Sequence, residues 1–400
     1  MRAPNPDWTP LARDLVHALV RGGHLSTPGW VEAFAAVPRH VFTPVVIEPT
    51  GSGYRTLADT PGERADWLRA VYSDTSLVTR QRPHRAGYTF PDGTPVQVST
   101  SSSTMPSLMA RMVEALDIRP GHRVLEIGTG TGYNAAILSH RLGADHVVSV
   151  DIDPGAVADA ARALGGLGYR PTLVTGDGTA GVPEHGPYDR ILATAAVPDI
   201  PFAWVGQLAP GGKVLANVRG DIAGGFLCLL DKHDTADEVI GSFLPLGGHF
   251  MWVRPEVDNP HRPHEETADP VRAVAARTTT RSSDLLDLVD DESFRFLLQL
   301  QCPGLRTFTR NTAPGNGPAV VVTASDGARA EVFVEADDSV LRVSQGGPRR
   351  LWDTVEATGR LWRELGRPAV DRFGVVANAG VQFVWFDDDS GWYRWPLPLV

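Results

Sequence analysis

Apolar residues in this chain of 400 follow two rhythms. Short runs at 123–127, 146–150, 172–174, 189–194 and 213–218 have strand length, and helical periodicity begins between them near 134, 154 and 201. Such alternation predicts an α/β fold, a mostly parallel sheet with helices on both faces. A glycine-rich stretch, 217–225, predicts a tight turn into a further strand at 226–230. Upstream, Leu11–Val20 and Trp30–Val37 have helical spacing, and a polar Gly/Pro-rich stretch at 80–98 follows. A Ser/Thr tract then leads into a helix at Ser107–Leu116. Downstream, 255–282 has few apolar positions and reads as a linker or surface loop. Past it come a helix at Leu285–Leu300, strands at 318–323, 330–334 and 340–344, a helix at 349–365 and a Trp- and Phe-rich hairpin at 381–396. The expected organisation is a helical cap with its connecting loop (1–98), an α/β core (99–254), the linker (255–282) and a C-terminal α+β module (283–400).

Composition narrows the function classes. The length allows two or three domains. A net charge of −10 argues against nucleic acid or an anionic membrane as the main partner. Cys228 and Cys302 lie far apart without metal or redox spacing, which predicts reduced core thiols. His261 and His264 lack a third ligand nearby, so a solvated loop is favoured over a metal site. With no basic-apolar opening segment and no apolar run of about eighteen residues, a soluble cytoplasmic protein is expected.

The chemistry concentrates at Val124-Leu-Glu-Ile-Gly-Thr-Gly-Thr-Gly-Tyr-Asn134. A strand runs into Gly128, Gly130 and Gly132 and then into a helix, which brings backbone N–H groups to a ligand. A dinucleotide fingerprint would be Gly-x-Gly-x-x-Gly without an acid at its start. Here Glu126 would repel a pyrophosphate and suits a ligand with positive charge and an amino group, as S-adenosylmethionine has. Asp151, at the end of the second strand, can accept from ribose hydroxyls, and Gly176-Asp177-Gly178 after the third places an acid for an adenine amino group. Thr129, Tyr133, Ile152 and Thr194 complete the expected cofactor set. Tyr133 packs on the methionine end of the cofactor or is a core aromatic. An NAD-type turn or an empty α/β domain is the alternative to the whole set.

Several motifs together resemble the protein-L-isoaspartate O-methyltransferase family. They are Val37-Pro38-Arg39-His40-x-Phe42, the glycine loop, Gly176-Asp177-Gly178, Tyr188-Asp189-Arg190-Ile191, Ala195-Ala196-Val197-Pro198-Asp199-Ile200-Pro201 and Gln207-Leu208-x-Pro210-Gly211-Gly212. The resemblance covers roughly 30–220. It implies a Rossmann-like class I methyltransferase core that moves a methyl group from S-adenosylmethionine to a peptide carboxylate. Two features depart from it. Where the repair enzymes carry Thr-Ile-Ser-x-Pro, this chain has Ser101-Ser102-Ser103-Thr104-Met105-Pro106, with Thr104 at the position of the serine that lies at the methyl-transfer site. The C-terminal block is also additional. Both features resemble the methyltransferases of ribosomally made peptides, in the graspetide branch and its lanthipeptide relatives. That resemblance implies methylation of an ordinary Asp in a modified precursor, the ester closing to an aspartimide that persists or hydrolyses to isoaspartate.

A carboxylate with a reference pKa near ~4 is already ionised and needs no strong base, so the protein's task is alignment and exclusion of water. Ser101, Ser102, Ser103 and Thr104 are the candidate catalytic residues, because hydroxyls and N–H groups orient a carboxylate without quenching it. An N-cap in a solvated turn is the alternative. Arg39 and His40 either line the entrance or serve capping and ion-pair roles, and Tyr72-Ser73-Asp74 is expected to be a structural turn. The module's Arg342, Arg349, Arg350 and Arg360, with Trp352, Trp362, Trp385, Trp392 and Trp395, either grip a peptide substrate or form the module's own face and core. Three functions compete: a peptide-tailoring Asp O-methyltransferase, an isoaspartyl repair enzyme, and a non-enzymatic S-adenosylmethionine-dependent peptide escort. A monomer is favoured.

Overall fold

Valine and isoleucine, stiff at χ1, populate the short central strands, and helix formers fill the segments between them. The computed structural model describes residues 8–51, 53–84, 87–90, 92–222, 225–233, 237–254, 275–280, 291–310, 319–334, 340–388 and 391–398. The N-terminal part holds α1 (Thr9–Arg21), α2 (Pro28–Ala36), the single turn α3 (Arg39–Phe42) and α4 (Arg64–Val71). It also holds strands that apolar spacing does not reveal: β1 (Val45–Thr50), β2 (Gly53–Ala58), β3 (Leu77–Pro83) and β4 (Gln97–Ser103). They form an antiparallel sheet in the order β2-β1-β3-β4. The cap is therefore not purely helical, and the stretch at 80–98 is partly strand. In β4 the buried face is made of Ser101 and Ser103, so a strand of hydroxyls hides from a search for apolar alternation.

The core follows the predicted alternation. It runs α5 (Pro106–Ala115), β5 (Val124–Ile127), α6 (Tyr133–Leu142), β6 (Val147–Asp151), α7 (Pro154–Gly166) and β7 (Thr172–Thr175). Then come β8 (Tyr188–Val197), α8 (Phe202–Gln207), β9 (Leu208–Val218), β10 (Phe226–Lys232) and β11 (Glu238–Gly247). Helix α7 starts where sequence rules put it: Asp153 accepts from Gly155 N at 2.8 Å, with Pro154 in the first turn. Strand β5 pairs in parallel with β6 on one side and β8 on the other, so Leu125 lies between Val148 and Ile191. Chain order reverses at β5, and crevices form at the carboxyl ends of strands at such a point.

The sheet crosses the boundary that composition places at 255–282. Within that stretch, β12 (Ala275–Thr280) is a strand. It pairs with β16 in a second antiparallel sheet of order β12-β16-β15-β14-β13, where β13 is Leu305–Arg310, β14 Ala319–Ala324, β15 Arg329–Val334 and β16 Val340–Gly346. Helix α9 (Glu292–Gln301) precedes this run of strands and α10 (Leu351–Glu364) follows it. The chain then returns to the main sheet as β17 (Gly374–Asn378), β18 (Gln382–Asp388) and β19 (Gly391–Pro396). Strand β17 pairs with β11, completing the order β19-β18-β17-β11-β10-β9-β8-β5-β6-β7 among the described residues.

Aromatic contacts join the two parts. Phe296 of α9 packs edge-on against Phe243 at 4.7 Å, Phe373 at 5.3 Å and Phe226 at 5.7 Å. Each such side chain contributes roughly 1.5–3 kcal/mol on burial, which makes this an internal core rather than a docking contact. Trp352, Trp362 and Trp395 belong to that core, whereas Trp392 is exposed. Arg349 pairs with Asp326, Arg350 with Asp353, and Arg342 lies over Phe333. Cys228 and Cys302 are buried free thiols. His261 and His264 lie outside the described residues. Among the described residues no helix is long and apolar enough to cross a membrane, and no His/Cys/Asp/Glu group is arranged to hold a metal.

Candidate active site

The loop from β5 to α6 is shaped by its glycines for two different reasons. Gly132 has φ +86°, and a Cβ there would lie 2.8 Å from Ala160 Cβ, so this glycine lets α7 pack against the loop. A Cβ on Gly128 would meet Thr194 Oγ1 at 2.9 Å, and that hydroxyl donates to the carbonyls of Ile127 (3.0 Å) and Gly128 (2.8 Å). Thr194 thus pins the loop to the end of β8. The N–H of Gly130 donates to Asp151 Oδ2 at 2.8 Å. A pocket opens here, lined by Glu126, Ile127, Gly128, Thr129, Gly130, Thr131, Tyr133, Asn134, Asp151, Ile152, Gly178 and Thr194.

Glu126 is the electrostatic centre of that wall. Its Oε1 accepts from Asn134 Nδ2 at 2.7 Å and its Oε2 from Ser149 Oγ at 2.5 Å, while Thr129 Oγ1 lies 2.6 Å from the same serine. Burial, joined by the charge of Asp151, pushes the carboxyl up to about 7 against the two hydrogen bonds. Asn134 Oδ1 is buried without a partner among the described residues. An acceptor left open beside a carboxylate fits a cationic, amino-bearing ligand, and the donor set therefore fits S-adenosylmethionine.

Three expected cofactor residues are not on the pocket wall. Asp177 caps the short turn after it, accepting from Thr179 N at 2.9 Å and Thr179 Oγ1 at 2.8 Å, and Gly178 takes the wall position. Gly176 donates its N–H to Asp151 O at 3.0 Å, and Gly132 serves helix packing. Both bonds from Thr179 fall on one oxygen of Asp177, Oδ1.

The hydroxyl tract is a strand that ends at the pocket. Thr100, Ser101, Ser102, Ser103 and Thr104 all line it. Ser101 and Ser103 are nevertheless held from behind: Thr79 Oγ1 donates to Ser101 Oγ at 3.4 Å, and Arg39 Nε donates to Ser103 Oγ at 3.2 Å. Thr104 uses only its backbone, its carbonyl accepting from Arg39 Nη2 at 3.0 Å, which leaves its hydroxyl without a partner among the described residues. The α5 cap is supplied from elsewhere, because Asp74 Oδ1 accepts from Ser107 N at 2.8 Å.

Arg39 does not line the pocket, and among the described residues it has no ion-pair partner. Its side chain is fully buried and also donates to the carbonyls of Val71, Ser73, Thr75 and Ser103. It ties α4, the 73–75 turn and the end of β4 into one corner, and desolvation holds its guanidinium down at about 10. His40 lies away from the pocket, its Nδ1 2.7 Å from Tyr72 OH and its ring beside Trp8. Tyr133 lines the pocket and packs on Phe42.

Residues 250–254 form a wall that sequence reasoning missed. Ala196 N donates to Met251 O and Val253 N to Ala196 O, which fixes the segment at the end of β8. Phe250, Met251, Trp252, Val253 and Arg254 all face the pocket, and Arg254 Nη2 donates to Thr100 O at 3.2 Å. The signal in the sequence was an aromatic cluster just before the composition shift.

Residues 70–243 match the family model described as Protein-L-isoaspartate(D-aspartate) O-methyltransferase. The Protein-L-isoaspartate O-methyltransferase of Hyperthermus butylicus is 33% identical over 264 residues, an alignment that takes in 62% of this chain and 92% of that protein. The chain belongs to the protein-L-isoaspartate O-methyltransferase family. It is a carboxyl methyltransferase that uses S-adenosylmethionine. Xanthobacter autotrophicus has a relative of the same description, 51% identical over 113 residues, covering 28% of this chain and 51% of the relative. A solved structure named protein-L-isoaspartate O-methyltransferase shares the fold with a TM-score of 0.51 and 24% identity, covering 94% of this chain and 100% of that one. A likeness spanning that much of the chain reaches into the C-terminal part.

Proposed function

We propose that this methyltransferase esterifies the side-chain carboxylate of an ordinary Asp in a ribosomally made, macrocyclic peptide, the ester then closing to aspartimide. S-adenosylmethionine supplies the methyl group. Glu126, Asn134 and Asp151, with the Gly128–Gly132 loop, hold the donor by charge and by open acceptors. The acceptor carboxylate is ionised without help, so the chain needs to orient it rather than deprotonate it. The observation that carries the reading is Thr104: a hydroxyl at the pocket without a partner among the described residues, on a corner clamped by Arg39. Its methyl group adds bulk where the repair enzymes have serine, which alters the fit around the reacting carboxylate. Arg254, on the facing wall, adds a cation for a second carboxylate or a peptide carbonyl.

Isoaspartyl repair is the second reading, and the description shared by the curated relatives favours it. Mass spectrometry of two acceptors separates the readings. A cyclised Asp peptide that gains one methyl group and then loses methanol supports tailoring. Turnover confined to isoaspartyl peptides overturns it in favour of repair, and transfer to neither leaves a peptide escort.

A further inference from the structure

A second cavity, about 210 Å3, lies where the glycine-rich stretch after β9 meets the first half of α9. Arg219, Asp221 and Gly225 line one side, with His249, Glu292 and Arg295 opposite. Of the two acids, Asp221 is bridged to Arg306, and Glu292 is largely exposed beside His249. Asp221 Oδ2 accepts from Arg306 Nε and Nη2, both at 3.1 Å, and Glu292 Oε1 lies 3.9 Å from His249 Nε2. Among the described residues neither Arg219 nor Arg295 has an ion-pair partner within 4 Å, although Asp221 lies close enough to act on Arg219 by its charge. Arg219 Nη1 donates to Phe250 O at 3.1 Å and Arg295 Nη2 to Ile222 O, so both guanidiniums are held in place by carbonyls.

Two donors at this junction are buried and unmet. Among the described residues Arg295 Nε has no partner, and neither has Gln299 Nε2, one turn further along α9. Gln299 Oε1 accepts from Gly220 N at 3.0 Å, which ties α9 to the stretch that carries Arg219 and Asp221. Buried donors without partners are costly and rare. Two guanidiniums fixed by carbonyls, beside unmet donors and with Asp221 turned to Arg306, form a local site for a planar anion. The cavity adjoins the active site directly. His249 precedes the pocket wall 250–254, and Arg219 Cζ lies 4.9 Å from the ring of Trp252 in that wall.

We infer that this cavity is a carboxylate-binding subsite that takes an acidic side chain of the polypeptide acceptor while another carboxylate occupies the active-site pocket. The inference rests on the reading that the acceptor is a peptide, and it makes an acid-bearing peptide the preferred class. Arg219 and Arg295 bind the anion, and the Arg219–Trp252 stack sets that anchor beside the pocket wall.

Equilibrium binding tests the subsite without methyl transfer. The full chain is titrated with a fluorescein-labelled glutamate-rich peptide and with the same peptide carrying glutamine at each glutamate. The wild type is expected to prefer the glutamate peptide on the order of ten-fold. Arg295→Gln should remove that preference and leave S-adenosylmethionine affinity unchanged, while Arg295→Lys keeps part of it. Hydrogen exchange on the wild type locates the contact, because the glutamate peptide should protect the amides of Phe250 and of Arg295–Leu298. Equal binding of the two peptides, a preference untouched in Arg295→Gln, or no protection at those amides overturns the inference. If the variant does not fold, the wild-type exchange result decides alone. A chain that keeps the preference but methylates neither Asp nor isoaspartyl peptides retains the subsite and loses the proposed function.

Discussion

Glu126 is enclosed by protein, and its carboxyl titrates at about 7 instead of the ordinary 4.5 because burial disfavours its charge. A raised pKa means that the native state holds a proton which the unfolded state has released. The resulting stabilisation is complete below about 4.5 and is lost as pH rises through about 7. Cofactor binding runs the other way, since a cationic ligand favours the ionised acid. Affinity for S-adenosylmethionine should rise roughly ten-fold between about pH 6 and pH 8, and calorimetric titration should show Glu126→Gln flattening that slope. At Thr104 the hydroxyl can be removed with little change of shape. Thr104→Val should lower kcat by about ten- to a hundred-fold at unchanged cofactor affinity, whereas Thr104→Ser keeps the rate within a few-fold. Steady-state kinetics on the accepted peptide checks both. Arg39 acts by holding this corner. Arg39→Met leaves several buried carbonyls without donors and should cost about 3–5 kcal/mol, measured by urea unfolding.

At the level of elements, legibility follows the kind of residue that fills the buried face. Strands β5, β6, β8 and β9 are filled by Val, Leu and Ile, so their spacing exposes them. Strand β4 buries Ser101 and Ser103, and β11 carries Gly241 and Pro245 within its span; neither shows apolar alternation. Strand β12 is Ala-Ala-Arg-Thr-Thr-Thr and is placed only by its pairing with β16. The glycine loop was legible as a ligand loop, but spacing alone could not say which glycine faces the pocket and which faces α7. Gly132→Ala combines left-handed strain with a clash on Ala160. It should lower the melting temperature and weaken cofactor binding, read by thermal shift with and without S-adenosylmethionine. Asp177 shows the same limit, because spacing alone does not reveal that the short turn takes its Oδ1.

On the scale of the whole molecule, the C-terminal region completes the core. Phe294, Phe296, Phe373 and Phe386 lie in one buried cluster with Val214, Leu230 and Val239 of the methyltransferase sheet. A chain ending after residue 254 would expose that face and the unpaired edge of β11, so it should aggregate on size-exclusion chromatography. The full chain should unfold in one calorimetric transition spanning both parts. Two resolved transitions would mean that the parts are independent. Sequence by itself determined the βα alternation, the acid and glycines that select a cationic donor, and the Thr104 departure, because local spacing and side-chain chemistry suffice for each. Tertiary structure alone decided that Arg39 clamps the Thr104 corner, that 250–254 walls the pocket, that β17–β19 extend the main sheet, and that Arg219 and Arg295 share a second cavity. Each depends on groups brought together across long separations, where burial and hydrogen-bond satisfaction, not local pattern, choose the partner.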